Sequence, residues 1–248
     1  MQKEISFSII TPAYNAVKNI PRTFKSVMAQ QQVEFEYIIV DAMSTDGSLD
    51  LYQLWDGKYK NFNFIYEKDN GIYDAMNKGV KLSQKKFCVF LGAGDVFAES
   101  NTLFKIQETL INKKADIIYG YVFFKNNQGK VKEYKRIINQ FYPILADTIS
   151  HQAILAKRKC LLNYPFDLKY KIASDQDWIM HMYKLGKVFE FINIPISIYD
   201  TEGISSTEQG YKIGQYELKL IQKQYYPFYY YIHLLLKKIN CIFKYKRI

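Results

Sequence analysis

Four short apolar runs, each closed by a polar turn and separated from the next by a helical pattern, constrain this chain more than any other feature. Phe7 to Ile10, Glu36 to Val40, Asn63 to Tyr66 and Phe87 to Leu91 read as strands. Between them lie helical patterns at Ile20 to Gln30, after Gly47, and at Ile72 to Leu82. Such alternation predicts a parallel sheet covered by helices on both faces. Further on, the rhythm becomes mixed. A helix is expected at Thr102 to Asn112, and a strand at Ile117 to Phe124. A turn at Asn126 to Gly129 leads into Val131 to Tyr134, and a strand is expected at Gln152 to Ala156. A helix opened by Ser174 and Asp175 then precedes strands at Val188 to Ile192 and Ile196 to Tyr199. The expected fold is α/β: one Rossmann-like, mixed, mostly parallel sheet flanked by helices over residues 1–206, with a C-terminal helical extension over 207–248.

In a parallel sheet the carboxyl ends of the strands share one edge, and ligands bind in the crevice beyond it. Here those ends read Thr11-Pro12-Ala13-Tyr14-Asn15, then Asp41, then Glu67-Lys68-Asp69-Asn70-Gly71, then Gly92-Ala93-Gly94-Asp95. Three of the four carry an Asp. Converging carboxylates repel unless donors or a cation sit among them, and a nucleotide with Mg²⁺ or Mn²⁺ supplies both. Asp46 reads as a turn-shaping residue. Asp41 and Asp95 directly follow apolar strands, away from an obvious helix start, and read as functional. Gly92-x-Gly94 lacks the third glycine of a dinucleotide fingerprint, and no P-loop is present.

Lys and Arg number 34 against 24 Asp and Glu, a net charge of +10. The excess is concentrated at the end of the chain. From Tyr211 onward Lys212, Lys219, Lys223, Lys237, Lys238, Lys244, Lys246 and Arg247 face the single acid Glu217. A nucleic-acid binder would spread basic residues over one folded face, so nucleic acid is not an expected partner. Cys88, Cys160 and Cys241 make neither a disulfide framework nor a zinc spacing, which points to a reducing cytosol. No signal peptide is seen at the start, and no run is long enough for a transmembrane helix.

Taken together, Ser8-Ile-Ile-Thr-Pro-Ala-Tyr-Asn15, Ile38-Ile-Val-Asp41 with Ser44-Thr-Asp-Gly47, Asp69 to Gly79, and Phe90-Leu-Gly-Ala-Gly-Asp95 resemble, in order and spacing, family 2 glycosyltransferases of the GT-A fold. The resemblance implies a nucleoside pocket lined by Thr11, Ala13 and Tyr14, with Asp41 accepting from the base. It puts Asp69 and Asn70 by the nucleotide or donor sugar, with Lys68 and Lys78 beside the diphosphate. Asp95 matches the last carboxylate of the family's Asp-x-Asp motif and would hold the divalent metal, although Ala93 replaces the first. Asn77 follows Met76 where members of the family often carry an Arg.

The segment Ala173-Ser-Asp-Gln-Asp-Trp178 resembles the family's acidic motif, with Asp175 as the base that deprotonates an acceptor hydroxyl and Asp177 as a less favoured substitute. Ser174 or Asp175 would also serve as a helix N-cap. Ser150-His151-Gln152-Ala153 resembles a segment bordering the acceptor cleft, and Asn77, His151, Gln152 and Trp178 are the expected donor-sugar and acceptor contacts. A loop at Gly203 to Ser206 is a candidate to close over the donor.

The implied activity is inverting transfer of a sugar, expected from a UDP-sugar, to a glycan acceptor in polysaccharide biosynthesis. The mixed aromatic and basic tail suits a membrane interface, since each Lys or Arg near anionic lipid adds about 1 kcal/mol. That places the enzyme at the cytoplasmic face of a bacterial inner membrane, with a lipid-linked acceptor. Two alternatives stay open: a sugar nucleotidyltransferase, and a non-catalytic glycan- or membrane-binding protein that keeps the fold.

Overall fold

The computed structural model describes residues 5–111, 113–125, 131–135, 149–200, 207–228 and 231. Strands β1 (Phe7–Ala13), β2 (Phe35–Asp41), β3 (Phe62–Tyr66) and β4 (Phe87–Phe90) alternate with α1 (Ile20–Met28), α2 (Ser48–Asp56) and α3 (Ile72–Leu82). They pair in parallel in the order β3-β2-β1-β4. All seven residues of β1 are buried, as a strand covered on both faces requires. Ile9 and Ile39 belong to one core with Ile20, Phe24 and Val27 of α1. Ile10, Ile38 and Val40 face the other way, into a second core with Met76 and Val80 of α3.

Beyond β4 come β5 (Val96–Phe97), α4 (Thr102–Leu110), β6 (Ile117–Lys125), β7 (Val131–Tyr134), β8 (Ile154–Lys157), α5 (Arg158–Asn163), α6 (Ser174–Lys184), β9 (Phe189–Asp200) and α7 (Glu208–Tyr225). β8 lies antiparallel between β4 and β6, β6 runs parallel to β9, and β5 and β7 add antiparallel edges. The sheet is the mixed, helix-flanked one expected, parallel from β3 to β4 and mixed beyond.

Several local expectations are corrected. Gln152 is not in a strand: His151–Ala153 forms a 3₁₀ turn, closed by the Ala153 N–H on the Ser150 carbonyl, and β8 begins only at Ile154. The two strands expected around Ile192 and Ile196 are one, β9, and the Pro195 between them sits at an irregularity in the pairing with β6. Neither Ser174 nor Asp175 caps α6. The residue before the helix is Ala173, and the Ser174 hydroxyl donates to the Asp167 carbonyl at 2.8 Å. α5 and the two-residue β5 had no clear sequence signal. Cys88 and Cys160 are free and buried. The Asn126 to Gly129 turn, the Gly203 to Ser206 loop, Cys241 and the tail from residue 232 lie outside the described residues. Among the described residues no helix is long and apolar enough to cross a membrane.

Candidate active site

The ends of β1 and β2 build one wall. Ala13 is the register partner of Asp41, and Asp41 is fully buried. Its Oδ1 accepts from the Ser44 N–H at 2.7 Å, and its Oδ2 from the Ser44 hydroxyl at 2.7 Å and the Tyr52 hydroxyl at 2.9 Å. Ser44 in turn receives the Asn15 N–H at 2.7 Å, while the Asn15 side chain accepts from the Thr45 N–H at 3.0 Å. Asp41 therefore ties the two strand-end loops together through Ser44. Thr11 is buried and accepts from the Tyr37 hydroxyl at 3.1 Å, whereas Tyr14 is 66% exposed at the mouth. Asp46 shapes the turn before α2, accepting from Val17, from the Ser48 N–H and from the Ser48 hydroxyl. Although burial opposes it, those bonds hold its carboxyl below the ordinary value.

After β3 the loop is internally braced. The Asp69 carboxylate accepts from the Gly71 N–H at 2.9 Å, and both the backbone and side-chain N–H groups of Asn70 reach Asp74. Lys78 donates to the Lys68 carbonyl at 2.6 Å and pairs with Glu67 at 2.9 Å and Asp74 at 3.6 Å. Desolvation pulls its pKa down, but Glu67 and Asp74 outweigh it and hold the ammonium above its usual range. Asn77 exchanges two hydrogen bonds with the Phe166 backbone, and the buried Trp178 indole donates to the Tyr164 carbonyl at 2.7 Å.

After β4 the Gly92–Asp95 turn folds the Asp95 carboxylate back on its own backbone, accepting from the Gly92 N–H at 3.0 Å. A Cβ at Gly92 would stand 2.8 Å from that oxygen, and Gly94 has φ +107°, which explains two glycines without a dinucleotide fingerprint. The Thr23 hydroxyl fixes the turn through the Gly94 N–H at 2.8 Å. The same Asp95 oxygen accepts from the Gln152 amide at 3.3 Å.

One residue earlier in the 3₁₀ turn, His151 Nδ1 lies 3.0 Å from Asp175 Oδ2. Asp175 is in the first turn of α6, with its side chain 10% exposed and that of His151 20% exposed. An ionised carboxylate only accepts, so Nδ1 carries the proton. The other oxygen, Oδ1, accepts from the Gln176 N–H at 2.9 Å and lies 3.0 Å from the Tyr73 hydroxyl. Tyr73 also lies 2.7 Å from the Ile172 carbonyl. Its single proton thus faces two acceptors. Phe90, Phe166 and Trp178 line a small cavity beside the pair. The structure brings together Asp95, Gln152, His151 and Asp175 as one connected set. Tyr73 holds the Asp175 carboxylate of this set, while Ser44 and Tyr52 hold Asp41 at the ends of β1 and β2; the sequence alone assigns none of the three a role. Asp177 points elsewhere, into a cluster with Tyr225, and burial raises its carboxyl above the ordinary value.

Among the described residues no three His, Cys, Asp or Glu side chains converge as a metal site. Asp95 supplies one carboxylate beside the cleft, and Ala93 offers nothing. That donor set fits a cation of the Mg²⁺ type, which binds through one or two carboxylates plus substrate phosphates and water, rather than an all-protein cage.

The glycosyl transferase family 2 model matches residues 8–160. A PGL/p-HBAD biosynthesis glycosyltransferase of Mycobacterium bovis (strain BCG / Pasteur 1173P2) is 28% identical over 209 residues, 81% of this chain and 79% of that protein. The amylovoran biosynthesis glycosyltransferase AmsB of Erwinia amylovora is 28% identical over 217 residues, 79% and 70% of the two chains. Among solved structures, S. aureus TarS 1-349 in complex with UDP-GlcNAc superposes with a TM-score of 0.67 at 19% identity, over 88% of this chain and 66% of that one. The mannosyltransferase PcManGT of Pyrobaculum calidifontis, in complex with GDP-Man and Mn²⁺, gives 0.61 at 16%, over 88% and 61%. This chain thus spans just under two thirds of those structures, whose likeness shows the fold. Because the matched stretch is more than half of the chain and takes in both the strand-end loops and the His151–Gln152 turn, the chain belongs to glycosyl transferase family 2.

Proposed function

We propose that this glycosyltransferase moves a sugar from a UDP-sugar, with inversion, to a hydroxyl of a growing cell-surface glycan. One observation carries the reading. Asp95, on the donor side, and Asp175, at the start of α6, are bridged by two adjacent residues, Gln152 at 3.3 Å and His151 at 3.0 Å. A leaving-group side and a base side facing each other across one turn are what single displacement at an anomeric carbon needs. The solved relatives bound to UDP-GlcNAc, and to GDP-Man with Mn²⁺, support a nucleotide-sugar donor and a divalent cation.

In this mechanism the base and ribose sit against Thr11, Ala13 and Tyr14 on the loop that Asp41 fixes, and Asp69, Asn70 and Lys78 flank the diphosphate. Asp95 would hold Mg²⁺ or Mn²⁺ with the donor phosphates, and the cation when bound neutralises charge on the leaving diphosphate. Asp175 takes the acceptor's proton as its oxygen attacks. Before transfer the Tyr73 proton favours the ionised Asp175. Once Asp175 is protonated, Tyr73 turns its proton to the Ile172 carbonyl and accepts instead, so one hydroxyl serves both states. His151 keeps the carboxylate oriented, Gln152 spans to Asp95, and Asn77 and Trp178 shape the acceptor side.

The relatives named for PGL/p-HBAD and amylovoran synthesis support a cell-envelope acceptor, which we take to be lipid-linked. The exposed face of α7 carries Lys212, Lys219 and Lys223 beside Tyr216. This stripe supports peripheral attachment to the cytoplasmic face of the membrane through the C-terminal extension.

Titration with UDP, GDP and dTDP, each with and without Mn²⁺, tests the donor assignment. Metal-dependent UDP binding that Asp95→Ala abolishes is expected. Absence of any nucleotide binding would overturn the transferase reading in favour of a non-catalytic protein that keeps the fold.

A further inference from the structure

Glu217 is the single acid between Tyr211 and Ile248, yet it is only 6% exposed, on the inner face of α7. Its Oε1 accepts from the Lys171 N–H at 2.7 Å, and its Oε2 from the Ile172 and Ala173 N–H groups at 2.9 Å each. These are the three residues that lead into α6. The first N–H groups of a helix and of the turn before it have no partner within the helix. Ala173 has no side-chain acceptor to offer them, and the Ser174 hydroxyl is turned to Asp167. A carboxylate from another helix, 44 residues further along the chain, fills that place, and a negative charge there also suits the helix dipole.

Two further contacts seat the clamp. A Cβ at Gly214 would stand 3.0 Å from the Ile172 side chain, so the two elements are in close contact, and Ile221 packs with Tyr170, Ala173 and Met180. Ile172 is therefore gripped twice: its N–H by Glu217 of α7, and its carbonyl by the Tyr73 hydroxyl of α3, which also lies 3.0 Å from Asp175. The loop, Tyr73 and Asp175 are thus joined through shared hydrogen bonds.

We infer that Glu217 is a positioning residue, through which the C-terminal helix sets where Asp175 stands relative to His151. It touches no reacting atom. Its catalytic consequence rests on the reading of Asp175 as the base, whereas its geometric consequence does not.

The chain carries three histidines, which makes the imidazole nitrogen resonances a direct test. His151 reports Asp175 at 3.0 Å. His181, whose Nδ1 lies 3.3 Å from the Tyr225 hydroxyl, reports whether α7 is still docked on α6. In Glu217→Ala the His151 resonances shift while those of His181 stay, UDP affinity is unchanged, and UDP release from UDP-GlcNAc slows by about 10²-fold, the scale of an ångström-sized misplacement. Glu217→Gln restores most of both, because one amide oxygen can still serve Ile172 and Ala173 while the N–H of the exposed Lys171 turns to water. An unchanged His151 signal in Glu217→Ala, or a joint change of His151 and His181, overturns the inference. Should Glu217→Ala not fold, amide exchange in the unaltered protein decides: protection of the Ile172 and Ala173 N–H groups is expected, and rapid exchange overturns it. A normal rate in Asp175→Asn removes the base reading alone, and the His151 signal then still decides the placement.

Discussion

The two sides of the cleft are built on different plans. On the proposed donor side each carboxylate is held mostly from nearby in the chain: Asp41 by Ser44 and Tyr52, three and eleven residues on, and Asp95 by the Gly92 N–H three residues back, with Gln152 reaching it from 57 residues away. On the acceptor side Asp175 is held by Tyr73, 102 residues away, by His151, 24 away, and through its loop by Glu217 on the last described helix. The proposed donor side therefore draws more on contacts close in sequence than the acceptor side does. The acceptor side exists only when α3, the 3₁₀ turn, α6 and α7 are all in place.

Substitutions break this contrast to different degrees. The largest effect is expected from Asp175→Asn, which removes the base while keeping acceptors for Tyr73: transfer falls by about 10³-fold with UDP affinity intact, measured by single-turnover kinetics beside nucleotide titration. An equal loss of UDP binding would mean the two sides are not separable. Asp41→Ala strikes the donor side and strands the buried Tyr52 hydroxyl and Ser44 N–H, costing about 3 kcal/mol in urea unfolding and weakening UDP binding. A stability loss without a change in nucleotide affinity would confine Asp41 to the fold.

Tyr73→Phe is milder, slowing transfer by about 10-fold and destabilising by roughly 1 kcal/mol, since it removes one hydroxyl shared between two acceptors. The smallest effect concerns Asp177, one of whose oxygens has no hydrogen-bond partner among the described residues. Desolvation raises its carboxyl above the ordinary 3.8 despite the opposing Lys169 charge. A raised folded-state pKa in an acid means that ionisation costs stability as pH rises past 3.8, in full once pH exceeds the folded value. Asp177→Asn should therefore melt like the parent below about pH 3.8, gain on it progressively as pH rises through the window up to the raised folded value, and keep a constant advantage above it. Parallel melting curves at all pH values would deny the penalty.

The same contrast explains what could be read from the sequence. The four parallel strands, and the position of the proposed donor residues at their carboxyl ends, were legible because each lies within a few positions of an apolar run, so local spacing carries the information. Asp95 could be found from the Gly-Ala-Gly-Asp turn, whose glycines are there to admit its carboxylate. The 3₁₀ turn at His151 was not legible, because a side chain committed to a distant acid overrode a strand-like pattern. Pro195 divided one strand into two on paper for want of its partner β6. Glu217 was visible only as an exception to a basic tail. The signal that would have found it is helical: Gly210, Gly214, Glu217 and Ile221 recur at spacings of four, three and four, and all four are the buried residues of α7.

His151 and Gln152 are chain neighbours that reach toward opposite partners, Asp175 and Asp95, so in the proposed mechanism the span from leaving group to base is gauged by one peptide unit, about 3.8 Å between Cα atoms. That makes the turn a caliper with a fixed opening. Loops on either side are free to lengthen and change which sugar or which hydroxyl is accepted. A residue inserted between those two would widen the caliper and leave both substrates bound but out of reach of each other.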